Sequence, residues 1–253
     1  MGRLDVVGLG PGAPAGMTGE AREALEACDV VVGYTTYVDL VRQAFPEARV
    51  LSTPMRHEVE RCRLAFVRAE AGEAVCLVCS GDAGVYGMAS PVLELARDHP
   101  DVEVRVVPGV TAALAASAAL GAPLANDFAC VSLSDILTPW DVIERRLRGC
   151  AYGDLCVALY NPRSSRRPEN LARAAAVLLD AGVSPRTPCG WVRNVGRAGQ
   201  ASGVLELSGL AGLDADMFTT VVVGNTRTRV VAGRMVCARG YRELGDARGR
   251  ERA

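Results

Sequence analysis

The stretch Val75–Pro91, VCLVCSGDAGVYGMASP, decides the fold. Apolar Val75–Cys79 has the length of a strand, and Ser80-Gly81-Asp82-Ala83-Gly84 is a loop of small residues. From Val85 the spacing turns helical and runs through Leu95 and Ala96. In open α/β sheets such a loop sits at the carboxyl end of its strand, where ligands bind. Its glycines let backbone approach a ligand closely, and the helix start offers free N–H groups. An ordinary tight connection uses the same residue types, and Asp beside Gly commonly serves only as a turn residue.

The segments on either side repeat the pattern. Leu4–Gly8 reads as a first strand that delivers Gly8-Leu9-Gly10-Pro11-Gly12, followed by a helix with Thr18 as its N-cap. Val30–Gly33 is a strand ending at Tyr34-Thr35-Thr36-Tyr37; a short helix (Val38–Ala44) and a brief strand (Arg49–Leu51) follow. Glu58–Ala71 has helical periodicity and stops at Gly72, and Val102–Val107 is a strand closed by Pro108-Gly109. Val110–Leu120 is helical and nearly all apolar, which predicts burial between layers. Alternating strands and helices predict an α/β fold with a parallel, doubly wound sheet.

The pattern restarts near Gly121–Asn126. Strands are expected at Ala129–Leu133, Leu155–Tyr160, Pro188–Val192, Thr219–Val223 and Met235–Cys237, and helices at Trp140–Arg148 and Leu171–Ala181. The expected organisation is two unequal α/β lobes, residues 1–123 and 124–241, with a cleft between them as the default site. The charged tail, residues 242–253, is expected to be disordered.

Composition removes several chemistries. All 28 basic residues among the 253 are arginine, so a Schiff-base lysine, a lysine general base and a Walker-type phosphate loop are excluded. A net charge of −1 argues against a general nucleic-acid binder. No apolar run reaches membrane-spanning length and no basic leader precedes the first strand, so a cytoplasmic protein is expected. Cys76 and Cys79 form a C-x-x-C, but residues three apart on a strand face opposite sides of the sheet. No second pair completes a metal site, and none is expected. His57 and His99 lie far apart in sequence without a catalytic context.

The remaining motifs read two ways. GLGPGA at Gly8–Ala13 fits a dinucleotide fingerprint in spacing, but Pro11 stiffens its turn and Asp29 precedes the second strand instead of following it. Tyr160-Asn161-Pro162 puts two polar side chains at a strand end, or makes an Asn-Pro turn. Arg163, Arg166 and Arg167, like Arg56 and Arg61, suit bidentate carboxylate binding or a solvated surface. Ser134-Asp135 opens a loop that enters the helix at Thr138-Pro139-Trp140.

In order along the chain, GLGPG, VCSGDAGVYGMASP, PGVTAALAASAALGAPL, SLSDILTPW, ALYNPRSSRRPEN and the closing ARGY (Ala238–Tyr241) form a set. This set resembles the tetrapyrrole (precorrin) methylases, the class III S-adenosylmethionine-dependent methyltransferases, from about Leu4 to Tyr241. Within them it is most similar to the members that methylate C17 with ring contraction. The resemblance implies a homodimer of two-domain protomers that methylates precorrin-3B, or its cobalt counterpart, giving precorrin-4 in cobalamin biosynthesis. It also implies the site. Gly81, Asp82, Val85, Tyr86, Thr111 and Ala112 would hold S-adenosylmethionine from the first lobe. Tyr160, Asn161, Asn194, Asn225 and Thr226 would hold it from the second. Pro11, Arg56 and Arg163 would meet the tetrapyrrole, and Asp82 or Asp135 would handle protons. The alternatives are a methylase acting at another ring carbon, a nicotinamide-dependent oxidoreductase, and a carrier that binds the tetrapyrrole without turnover.

Overall fold

The computed structural model describes residues 2–241; the tail expected to be disordered, 242–253, lies outside them. The chain divides into two compact units, Met1–Ala112 and Ala113–Ala253.

The first unit contains β1 (Gly2–Gly8), α1 (Gly19–Glu26), β2 (Val30–Tyr34), α2 (Thr35–Ala44), β3 (Val50–Thr53), α3 (Glu58–Glu70), β4 (Ala74–Cys79), α4 (Ala89–Ala96) and β5 (Val102–Val107). The strands form one sheet in the order β3-β2-β4-β1-β5, every pair parallel. Alternation along the strands feeds two cores. Leu4, Val6, Val30, Val32, Val75 and Leu77 pack with Cys62, Ala65 and Phe66 of α3 and Val92 of α4. Val7, Val31, Cys76 and Val78 pack on the opposite face with Ala21, Ala24 and Leu25 of α1 and Val41 of α2. A strand covered on both faces needs apolar residues at nearly every position, which is why β2 and β4 read as unbroken apolar runs; β1 departs from this at Asp5, which is buried and paired with Arg3 and Arg105. β1 and β4 are neighbours, yet the chain leaves β1 toward β2 and leaves β4 toward β5. Such a reversal opens a crevice at the carboxyl ends of the two strands.

Thr18 caps α1 as expected. Its Oγ1 accepts from the Ala21 amide at 3.1 Å and donates to the Pro108 carbonyl at 3.1 Å, which ties the helix start to the end of β5. Two helix starts differ from expectation. α2 begins at Thr35 and takes in the predicted loop. α4 begins only at Ala89 because Tyr86 is left-handed (φ +55°) and Gly87 is pressed against the backbone. A Cβ on Gly87 would lie 2.5 Å from the Ala83 carbonyl oxygen, so the loop turns sharply where periodicity suggested helix.

The second unit takes up α5 (Ala112–Leu120) and continues through β6 (Gly121–Ala122), β7 (Phe128–Ser132), α6 (Trp140–Tyr152), β8 (Cys156–Tyr160), α7 (Asn170–Asp180), β9 (Pro188–Arg193), β10 (Ala201–Glu206), a 3-10 turn at Leu207–Gly212, β11 (Thr219–Val223), β12 (Thr228–Val231) and β13 (Arg234–Cys237). The division at 112/113 precedes the expected 123/124 because α5 and β6 join this unit. β6 pairs with β13, and Leu120 and Met235 fill the space over Gly190 of β9. α5 is not buried all round: Ala113, Ala116 and Leu120 are buried, while Leu114 is 48% exposed.

The main sheet of this unit runs β10-β9-β11-β8-β7, and it is mixed where a parallel sheet was expected. Only β7 and β8 pair in parallel; β8–β11, β11–β9 and β9–β10 are antiparallel. The short Asn194–Gln200 connection dictates this for β9 and β10, since a parallel partner needs a crossover of a dozen residues or so. β10 itself was not foreseen. Val131, Leu159, Val221 and Val223 bury against Ile143 and Leu147 of α6, Leu171 and Leu178 of α7, and Leu207 and Leu210.

Candidate active site

In the first unit the carboxyl ends of β1, β4 and β5 meet through backbone. Gly10 and Gly81 form an isolated antiparallel bridge, with amide-to-carbonyl distances of 3.0 and 2.8 Å. A Cβ on Gly109 would lie 2.2 Å from the Gly81 carbonyl oxygen and 2.6 Å from that of Gly8, so only glycine lets the β5 end close on the other two. Asp82 fastens this junction. Its Oδ1 accepts from the Gly84 amide at 2.8 Å and its Oδ2 from the Gly109 amide at 3.0 Å. Thr111 and Ala112 lie against Gly81, at 3.7 Å from where its Cβ would stand. Among the described residues Asp82 has no ion-pair partner. Val85 is half-buried and Tyr86 is 54% exposed beyond the loop.

The glycine loop after β1 does not feed a helix directly. A 3-10 turn, Pro14–Gly16, intervenes before α1, and Pro11 rests near Gly16. A dinucleotide fingerprint requires its last glycine at the helix itself, so this geometry removes the nicotinamide reading. Cys76 and Cys79 point to opposite cores, and burial pushes the Cys79 thiol up to about 11. Among the described residues no group of three or more His, Cys, Asp or Glu could hold a metal ion. No helix among them is long and apolar enough to cross a membrane.

In the second unit the β7–β8 ladder runs to Ser132 and Tyr160, the Leu133 amide donates to the Tyr160 carbonyl at 2.9 Å, and side chains join the loops beyond. Asn161, left-handed at φ +52°, donates from Nδ2 to Ser132 Oγ at 3.0 Å, and the same oxygen accepts from the Ser134 amide at 3.2 Å. Asn170, 3% exposed, donates to the Leu133 carbonyl at 2.7 Å, and Arg167 reaches Ser134 Oγ. The Tyr160 hydroxyl accepts from the Ala113 amide at 2.8 Å, satisfying a donor at the start of α5. Asn194 follows β9 at this same end, its amide bonded to the Phe218 carbonyl at 3.0 Å.

The Tetrapyrrole (Corrin/Porphyrin) Methylases family model matches residues 3–211. This chain belongs to that family. It is 48% identical over 239 residues to the probable cobalt-factor III C(17)-methyltransferase of Salmonella typhimurium, covering 94% of this chain and 99% of that one. It is 42% identical to the precorrin-3B C(17)-methyltransferase of a Sinorhizobium species, with 91% of each chain covered. Two longer relatives are matched over 56% and 45% of their own length. The crystal structure of the methyltransferase CobJ aligns with a TM-score of 0.88 at 40% identity, over 94% of this chain and all of that one. A uroporphyrin-III C-methyltransferase from Thermus thermophilus, complexed with S-adenyl homocysteine, aligns at 0.66 and 25% identity, over 88% and 97%.

Within this tetrapyrrole methylase the predicted residues separate into three groups. Gly81, Asp82, Thr111 and Ala112 come together at the first junction, with Val85 and Tyr86 on the same loop. Tyr160, Asn161 and Asn194 share one end of the second sheet. Asn225 and Thr226 do not join them. β11 runs antiparallel to β8, pairing Val223 with Val157, so the residues after β11 lie at the start of β8. Asn225 is 8% exposed and bonds the Asp154 carbonyl, while Thr226 bonds the Asp154 carboxylate. Asp135, Arg56 and Arg163 have no hydrogen-bond or ion-pair partner among the described residues, and Arg56 is left-handed at φ +70°. Sequence reasoning missed Ser132, Asn170 and Gly109, each of which sits inside a quoted motif but acts through contacts made far along the chain.

Proposed function

We propose that this chain transfers a methyl group from S-adenosylmethionine to C17 of precorrin-3B or cobalt-factor III, with ring contraction, in cobalamin biosynthesis. The observation that carries the reading is the 48% identity to a cobalt-factor III C(17)-methyltransferase across 99% of that relative. The residues of the first junction fit the donor. S-adenosylmethionine supplies a methyl on a positively charged sulfonium, ready for in-line displacement. Asp82, whose charge is balanced only by two backbone amides, and the carbonyls around Gly81 offer negative and dipolar oxygen to a cation. Gly81, Asp82, Val85, Tyr86, Thr111 and Ala112 are its proposed contacts. Tyr160, Asn161 and Asn194 are proposed as further contacts because they share one strand-end surface; Asn225 and Thr226 are withdrawn.

For such a reaction the chain's task is alignment and exclusion of water rather than activation. Pro11, Arg56 and Arg163 are proposed to meet the substrate, the two free guanidinium groups suiting its carboxylates. Of the two carboxylates considered for proton handling, Asp135 is exposed with both oxygens free, whereas those of Asp82 are engaged by backbone. We therefore assign proton exchange during ring contraction to Asp135. The enzyme is proposed to be a cytoplasmic homodimer, which light scattering at twice the chain mass would support.

The test is calorimetry with S-adenosylhomocysteine, with NADH as control, followed by turnover of precorrin-3B and cobalt-factor III. Saturable binding of the first nucleoside alone, and methylated product from at least one tetrapyrrole, is the expected result. Asp82→Ala is expected to weaken that binding about tenfold or more and to cost about 1–3 kcal/mol of stability, because two amides lose their acceptor. Wild-type affinity in this variant would remove Asp82 from the site.

A further inference from the structure

Arg61, on the first turns of α3, is only 3% exposed. Its Nε donates to Thr53 Oγ1 at 2.8 Å, its Nη2 to the Pro54 carbonyl at 3.0 Å, and its Nη1 approaches Met88 Sδ at 3.7 Å. None of these acceptors is charged, and among the described residues no carboxylate forms an ion pair with Arg61. The guanidinium therefore cannot be a free anchor for substrate carboxylates; it is turned inward.

A buried cation is costly, and a hydroxyl, a carbonyl and a thioether repay that cost poorly. The cost of burying the cation offsets most of what its hydrogen bonds to Thr53 and Pro54 contribute, so stability alone does not account for an arginine. The placement of its partners does. Thr53 closes β3 and Pro54 opens the turn that carries Arg56. Met88 ends the loop that carries Asp82, Val85 and Tyr86 and directly precedes α4. One planar, multiply donating group thus bridges the turn proposed to meet the substrate and the loop proposed to hold the cofactor. A point-charge ammonium or an aliphatic chain could not reach all three acceptors with fixed geometry.

We infer that Arg61 is a positioning residue that holds the Arg56 turn and the Asp82–Met88 loop in register with each other. The inference rests on the methyltransferase reading of these two segments. Arg61→Met removes the bridge and leaves a side chain of comparable length. In the whole 253-residue chain it is expected to weaken S-adenosylhomocysteine binding about tenfold and to raise KM for the tetrapyrrole by a similar factor. The rate at saturation should change by less than about threefold, the pattern of lost binding without lost chemistry. The melting temperature should change little, because the cost of the buried cation and its hydrogen bonds to Thr53 and Pro54 are lost together. Met88→Leu, which removes only the sulfur acceptor, is expected to weaken S-adenosylhomocysteine binding about threefold while leaving KM for the tetrapyrrole unchanged.

Wild-type affinity and KM in Arg61→Met, whatever its melting temperature, would overturn the inference. Should that variant not fold, unchanged nucleoside affinity in Met88→Leu would overturn it instead. Absence of S-adenosylhomocysteine binding by the wild-type protein would strike the methyltransferase reading itself, a result separable from either variant's behaviour.

Discussion

The two main sheets each gather loops at the carboxyl ends of parallel neighbours, but they fasten those loops by opposite means. In the first unit the strand ends meet backbone to backbone, and the decisive features are the missing side chains at Gly8 and Gly109 and the left-handed backbone of Gly81 (φ +71°). In the second, the ladder of β7 and β8 runs to Ser132 and Tyr160, and the loops beyond it are fastened by the side chains of Asn161, Asn170, Arg167 and Ser132. The difference follows from the sheets. An all-parallel sheet buried on both faces brings its connections into one crevice, where only glycine allows close approach. A mixed sheet has one parallel pair at that edge, so polar side chains span the remaining space and satisfy each other's hydrogen bonds.

The comparison breaks most severely at Gly109. Gly109→Ala places a Cβ 2.2 Å from a backbone oxygen that belongs to a different strand end and cannot rotate away. The expected loss is about 3 kcal/mol or more, read from urea unfolding, together with loss of S-adenosylhomocysteine binding. A variant within about 1 kcal/mol of wild type would mean that the junction yields easily and that glycine there serves another purpose.

What could be read in advance follows the same division. β2 and β4 were legible because burial on both faces writes an unbroken apolar run into the sequence. The glycine loops were legible because close approach selects a residue type. Neither signal exists for β10: it lies at the sheet edge, its residues are mostly exposed or half-buried, and only its short connection to β9 requires it. Strand direction was also silent. Thr219–Val223 reads as a strand, but the sequence does not say that it runs against β8, which puts Asn225 and Thr226 at the opposite end of the sheet from Tyr160 and Asn161. Helical spacing from Val85 to Met88 misled because Gly87 must sit against the Ala83 carbonyl, a constraint of packing and not of propensity. Asn170 looks like any polar residue at a helix start until Leu133 is found opposite it.

Asn170 is the next place to press. Asn170→Ala leaves the buried Leu133 carbonyl without its donor, and the expected cost is about 1–3 kcal/mol by urea unfolding. Because the same bond holds the base of the Ser134–Pro139 segment, amide exchange there should accelerate while exchange around Gly81 and Gly109 stays at the wild-type rate. Faster exchange at both places would show that the two fastenings are not independent.

The smallest effect is expected at Tyr160, where the side-chain bridge is a single hydroxyl. Tyr160→Phe keeps the ring and removes the hydroxyl, which is the acceptor the Ala113 amide uses at 2.8 Å and also a partner of the Cys130 side chain. That amide belongs to the first turn of α5, where the helix itself supplies no partner, so its loss costs about 1 kcal/mol. S-adenosylhomocysteine affinity in this variant separates two roles for the residue. If the hydroxyl serves only the start of α5 and Cys130, affinity stays within about twofold of wild type and the stability loss stands alone. If affinity falls further, the oxygen is shared between the helix and the cofactor. The second sheet would then present a polar atom to the ligand where the first presents backbone.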